Sequence, residues 1–78
     1  MKIDWQEYKE FRISKEEAGE KDKFYILVEF LKSFYNIHSL ETIYDIVKKD
    51  TLSSLMLKKN EISSYDDFES YLQKYRKF

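Results

Sequence analysis

The chain has 78 residues, of which 42% are hydrophobic and 37% charged, and its 14 basic and 15 acidic residues leave a net charge of −1. This length predicts one domain over residues 1–78, and the balance of apolar and charged residues is typical of a folded, soluble chain. Cysteine is absent, which excludes disulfides and thiolate metal sites. No apolar run has the length of a membrane span or a signal peptide, so we expect a cytoplasmic protein with no membrane partner.

The first helix has a marked beginning and end. Asp4 is a suitable N-cap with Glu7 three residues later, which predicts a helix from Trp5 to about Ala18. Gly19, the single glycine, stands where a left-handed C-terminal cap needs it. Because the apolar stripe of this helix is loose, an extended conformation of Lys9–Ile13 stays open.

The second helix is the most apolar part of the chain. Asp22 is its predicted N-cap, apolar residues recur at helical spacing from Phe24 onward, and Asn36 is the predicted stop. The pattern places Phe34 and Tyr35 at the end of the inward face. Such an apolar helix belongs in the middle of a core.

Three further helices follow. Ser39 is the predicted N-cap of the third helix, and Ser63 or Ser64 is the predicted N-cap of the last helix. The last helix has acidic residues in its first turns and an apolar stripe from Tyr65 to Tyr75. Between them, Leu52 to Lys59 predicts a short helix that buries Leu55 and Met56. The sequence thus predicts a mainly α fold, a compact single-domain bundle of four or five short helices. An α+β fold with a small hairpin around residues 53–63 is the alternative.

Candidate catalytic groups are few. His38 is the single histidine, the residue type most often used as a general acid or base, but no motif supplies a nucleophile or an orienting partner for it. Neighbouring carboxylates, as in Glu16–Glu17 and Asp66–Asp67, point about 100° apart on a helix and do not converge on one bond. We therefore predict no enzyme activity, no catalytic residue, no metal site and no cofactor.

A nucleic-acid regulator is the alternative function. The second and third helices have roughly the spacing of a helix-turn-helix. The third helix, however, carries Glu41 and Asp45 as well as Lys48 and Lys49, and the basic residues of the chain are twelve lysines and two arginines. Since phosphates demand net positive charge and bases are read best by arginine, we do not expect nucleic acid as the main partner.

The most unusual feature of the composition is its content of aromatic residues, which is 18%. A domain of this size cannot bury every ring, and tyrosine and tryptophan are preferred interface anchors. The predicted interface consists of aromatic residues near the two ends of the chain, namely Trp5, Tyr8, Tyr71, Tyr75 and Phe78. The expected function is a small protein-binding module, such as an inhibitor, an immunity-type protein or an adaptor, whose partner is another protein or a second copy of itself.

Overall fold

Five α-helices and no strand make up residues 1–75, which are the residues that the computed structural model describes. They are α1 (Trp5–Glu17), α2 (Lys23–Phe34), α3 (Leu40–Lys49), α4 (Thr51–Lys59) and α5 (Tyr65–Gln73). The prediction of a mainly α fold with short helices is confirmed. Both alternatives are wrong: α1 runs without interruption through Lys9–Ile13, and a helix occupies most of the range in which a hairpin was considered.

Capping side chains define the beginning of each helix. Asp4, Asp22, Ser39, Asp50 and Ser64 are the N-caps, and each accepts a hydrogen bond from the backbone N–H three residues later. These bonds satisfy donors that have no partner within the helix, and each contributes about 1 kcal/mol. The predictions at Asp4, Asp22 and Ser39 are confirmed, and of the two serines considered for the last helix it is Ser64 that caps.

Backbone in the left-handed region follows three of the helices, at Gly19 after α1, Asn36 after α2 and Glu61 after α4. Gly19 has φ of +102° directly after α1, and the N–H of Glu20 donates to the carbonyl of Lys15. Asn36 has φ of +56° after α2, where asparagine tolerates this conformation better than most residues. The predicted glycine cap and the predicted stop at Asn36 are both confirmed.

The described chain divides into two compact units, one covering Met1–Ile37 and one beginning at His38. In the first unit α1 packs against α2. Six residues of α2 are buried, and Ile26, Leu27 and Leu31 are fully so. This confirms the prediction that α2 is a buried core helix. The prediction of one domain over residues 1–78 stays a prediction.

In the second unit α3 packs against both α4 and α5. Its core consists of apolar residues from all three helices and from the turn after α4: Ile43, Tyr44, Val47, Leu57, Ile62, Phe68 and Leu72. Ser53 is the one buried polar residue among residues 1–75, and its hydroxyl donates to the carbonyl of Val47 at 2.8 Å. The helix α4 therefore turns Ser53 and Leu57 inward.

Two expectations about individual side chains are wrong. Leu55 was expected inside, but 55% of it is exposed and Met56 is only half-buried, because the opposite face of α4 meets α3. Phe34 was expected on the inward face of α2, but it is the last helical residue and 50% of it is exposed. Within residues 1–75, no helix has both the length and the apolar composition that crossing a bilayer requires.

Candidate protein interface

Six rings of the first unit form one connected group, which we call the aromatic cluster. Phe30 is its centre, 1% exposed, with ring centroids of its neighbours 4.9–5.8 Å away. Trp5 joins the group through an edge-to-face contact with Tyr8 at 5.3 Å. Such offset and edge-on arrangements are the preferred geometries of aromatic pairs. The members of the cluster are Trp5, Tyr8, Phe11, Phe30, Phe34 and Tyr35.

Helical spacing and one backbone hydrogen bond assemble the cluster. Trp5 and Tyr8 lie three residues apart on α1, and Phe30 and Phe34 lie four apart on α2, so each pair shares a helix face. Tyr35 follows as the C-cap of α2, and its hydroxyl accepts a hydrogen bond of 2.8 Å from the N–H of Asp4. The beginning of α1 is thereby tied to the end of α2.

Tyr8 supports the cluster from inside. It is 7% exposed, and its hydroxyl donates to the carbonyl of Lys23 at 2.8 Å. Burial raises the pKa of Tyr8 to about 12, because the phenolate would be poorly solvated there. The guanidinium of Arg12, 5.9 Å from the ring centroid, opposes this shift. As an interface residue Tyr8 stays a prediction, and its visible role is to hold its neighbours in place.

The rim of the cluster faces outward. Phe34 is 50% exposed although its ring is stacked on Phe30, while Trp5, Phe11 and Tyr35 are half-buried. Of the thirteen described aromatic residues, five are buried, seven are half-buried and Phe34 alone is exposed. The expectation that the interior holds too few places for every ring therefore holds for the described residues.

Tyr71 and Tyr75, the other predicted interface residues, lie together in the second unit. Their ring centroids are 5.8 Å apart and both side chains are half-buried. The hydroxyl of Tyr71 donates to Oδ1 of Asn60 at 3.2 Å, and Nζ of Lys74 lies 4.1 Å from the centroid of the Tyr71 ring. Phe78, also predicted, lies outside the described residues. The structure thus brings the predicted residues together as two pairs, Trp5 with Tyr8 and Tyr71 with Tyr75.

The exposure of Phe34 was not predicted, and Phe34 is not among the predicted interface residues. The helix α2 is apolar on nearly every side, so periodicity assigns no outward side to its aromatic residues. A usable signal was its position beside Lys32 and Ser33 and immediately before the stop at Asn36, because the last turn of a helix often leaves the core.

Two of the ionisable groups considered for catalysis, Glu16 and Asp67, have structural partners. Glu16 pairs with Arg12 at 3.1 Å. Asp67 accepts hydrogen bonds from the N–H and the hydroxyl of Ser63, and these bonds lower the pKa of its carboxyl. His38 is exposed and precedes the cap of α3. Within residues 1–75, no group of three or more histidine or acidic side chains is placed to hold a metal ion.

The helix-turn-helix alternative gains no specific support. On α3, Asp45 lies 3.5 Å from Lys48, so a carboxylate already neutralises one of the two lysines at the end of that helix. Comparison of the chain with protein families, with curated proteins and with solved structures finds no match. Inferences about function therefore start from the aromatic cluster and its surroundings.

Proposed function

We propose that this protein acts by binding another protein, and that the rim of the aromatic cluster is the contact surface. The observation that carries the proposal is Phe34, which leaves half of its surface in water while its ring is stacked on a buried partner. A phenylalanine held in this way is preorganised, since its rotamer is fixed before a partner arrives. Binding then costs little further side-chain entropy.

The neighbouring side chains have the chemistry of an interface core. Trp5 and Tyr35 add half-buried rings that combine apolar surface with a polar group, which is the composition found at binding hot spots. Lys15 lies over the ring of Phe11 at 5.4 Å and supplies a charged rim. With a net charge of −1, long-range steering is weak, so affinity would come from apolar contact.

The proposed mechanism is steric. By covering a surface of its partner the protein would act as an inhibitor, an immunity-type protein or an adaptor, without making or breaking a bond. The cytoplasm is the proposed location. A second copy of the chain is the other occupant to consider, and light scattering coupled to size exclusion separates a dimer from a monomer bound to a different partner.

Binding by a matched pair of variants tests the proposal. Phe34→Lys removes the exposed ring, keeps a good helix former and places a cation at the C-terminus of α2, where the dipole favours it. Ile13→Lys introduces the same charge at an isolated apolar residue of the same unit, 44% exposed. Each immobilised variant is incubated with lysate of the source organism.

We expect the wild type and Ile13→Lys to retain the same partner and Phe34→Lys to lose it. Circular dichroism must show equal helix content in all three. Equal retention by both variants, or no partner for the wild type together with a monomeric state, would refute the proposal.

A further inference from the structure

A groove on the second unit has the features of a separate binding site. It lies between α3, α4 and the turn after α4, and its volume is about 360 Å³, within the range of ligand sites. Its floor is apolar and consists of Tyr44, Leu57 and Ile62, which are 8%, 5% and 6% exposed. The rim carries two lysines, Lys48 and Lys58.

The charged residues around this groove favour a negatively charged ligand. None of the described residues that line the groove carries a carboxylate. Lys48 is partly neutralised by Asp45 at 3.5 Å and lies 4.8 Å from the centroid of the Tyr44 ring. Within the described chain, no carboxylate pairs with Lys58. The groove therefore offers an apolar floor beneath positive charge that is only partly compensated.

We propose that this groove binds an acidic peptide segment of a partner protein, in which one apolar side chain enters the groove and a flanking carboxylate meets Lys58 and Lys48. The apolar floor of Tyr44, Leu57 and Ile62 suits an aliphatic side chain, and the lysines match carboxylates as point charges. A single-stranded nucleic acid would instead need an exposed ring on which to stack. The Tyr44 ring is not available for that, because it is packed against Phe68 at 5.1 Å and covered by Lys48.

The site is independent of the proposed function. It shares no residue with the aromatic cluster and lies in the other unit. A second cleft of the same unit, beside Tyr71, is lined by two carboxylates, Glu61 and Asp67, and one lysine, Lys74, so its charge does not favour an acidic ligand. Of these two clefts, the groove at Lys58 is the one that offers positive charge beside an apolar floor.

Peptide titration of the isotope-labelled full chain, followed by NMR, tests this site. The probe is a short peptide in which one leucine is flanked by aspartates. Two control peptides replace the leucine with serine or the aspartates with lysines. We expect saturable shifts at Leu57, Ile62 and Ser54 with the probe alone. Affinity should fall as salt rises, because the charges are exposed and screened over about 10 Å.

The chain offers a matched control for the lysine. Lys58→Gln removes a rim charge, and Lys59→Gln removes the next charge along α4, which does not line the groove. We expect Lys58→Gln to weaken the probe roughly two- to fivefold, the range for one exposed ion pair, and Lys59→Gln to leave it unchanged. Phe34→Lys should bind the probe as the wild type does, which separates this site from the aromatic cluster.

Four outcomes would overturn the inference. One is the absence of saturable binding by the leucine–aspartate peptide. Another is equal binding of the lysine-flanked peptide, which would show that charge has no role. The third is equal weakening by Lys58→Gln and Lys59→Gln, since that pattern indicates diffuse attraction to a basic helix end rather than a groove. Tighter binding of a single-stranded RNA than of the peptide would likewise reject the choice of partner.

Discussion

Removing one hydroxyl, in Ser53→Ala, tests how the second unit is held together. Ser53 is fully buried, and its Oγ lies 2.8 Å from the carbonyl oxygen of Val47. Val47 belongs to the last turn of α3, where carbonyls lack partners within the helix. Because α3 ends at Lys49, the hydroxyl of Ser53 supplies the partner that a continued helix would have given.

The expected cost follows from this geometry. A buried acceptor left without its partner costs about 1–3 kcal/mol. Alanine leaves almost no cavity and returns up to about 0.5 kcal/mol through its better helix propensity. We therefore expect Ser53→Ala to lower the free energy of unfolding by about 1–2 kcal/mol, a large share of the few kcal/mol that hold a chain of this size.

Urea unfolding followed by circular dichroism measures this difference. The matched control is Ser54→Ala, on the same helix, where the hydroxyl donates at an exposed position to the carbonyl of Thr51. There we expect a change within about 0.5 kcal/mol, as for most surface substitutions. Equal stability of the two variants would refute the reasoning, because it would show that the Val47 carbonyl needs no side-chain partner.

The remaining predictions concern charge and cooperativity. The Oε1 atom of Glu29 is buried without a hydrogen-bond partner among the described residues, and burial raises the pKa of this carboxyl. The free energy of unfolding therefore falls as pH rises from the ordinary carboxyl pKa to the raised one. Glu29→Gln should therefore raise the melting temperature near pH 7 but not near pH 3, and an equal gain at both would contradict this cause. The lowered pKa of Asp67 has the opposite effect on stability. Its carboxylate stabilises the fold above the ordinary carboxyl pKa, and this contribution is lost as pH falls through the lowered pKa. Asp67→Asn should thus melt earlier than wild type at neutral pH while the neighbouring Asp66→Asn does not, as scanning calorimetry can show. Finally, each unit has about 40 residues, near the lower limit for independent folding, so fluorescence of Trp5 and circular dichroism should report the same unfolding midpoint. Two separate midpoints would reject the prediction of one domain.

Local signals carried most of the fold prediction. An N-cap such as Asp22 acts on an N–H three residues away, so its effect is readable from the neighbouring sequence. The same holds for Gly19, whose left-handed conformation depends on the missing Cβ alone. Asp50 was missed because it ends one helix and begins the next, and no loop separates the two patterns.

The faces of the helices were harder to predict, because they depend on neighbours distant in the sequence. In α4, apolar residues occur on both sides, and the packing against α3 selects Ser53 and Leu57 rather than Leu55. A buried serine is favourable only where an acceptor such as a carbonyl oxygen lies within hydrogen-bond distance, and the sequence alone does not show that arrangement. For Phe34, likewise, the apolar arc of α2 is so wide, with only Glu29, Lys32 and Ser33 on the polar side, that periodicity alone does not show which aromatic residue lies outside the core.

The junction at Asp50 sets a limit on how this chain can change in length. Asp50 is the single residue between α3 and α4. Its N–H donates to the carbonyl of Ile46, its carbonyl accepts from the N–H of Ser54, and its carboxylate accepts from the N–H of Ser53. One inserted residue would rotate α4 by about 100° and turn Ser53 and Leu57 away from α3. Between α1 and α2, the exposed Lys21 lies between the Gly19 cap and the N-cap Asp22, so it is the natural place to graft a tag or an epitope, whereas a residue added or removed at Asp50 would change the face that α4 presents to α3.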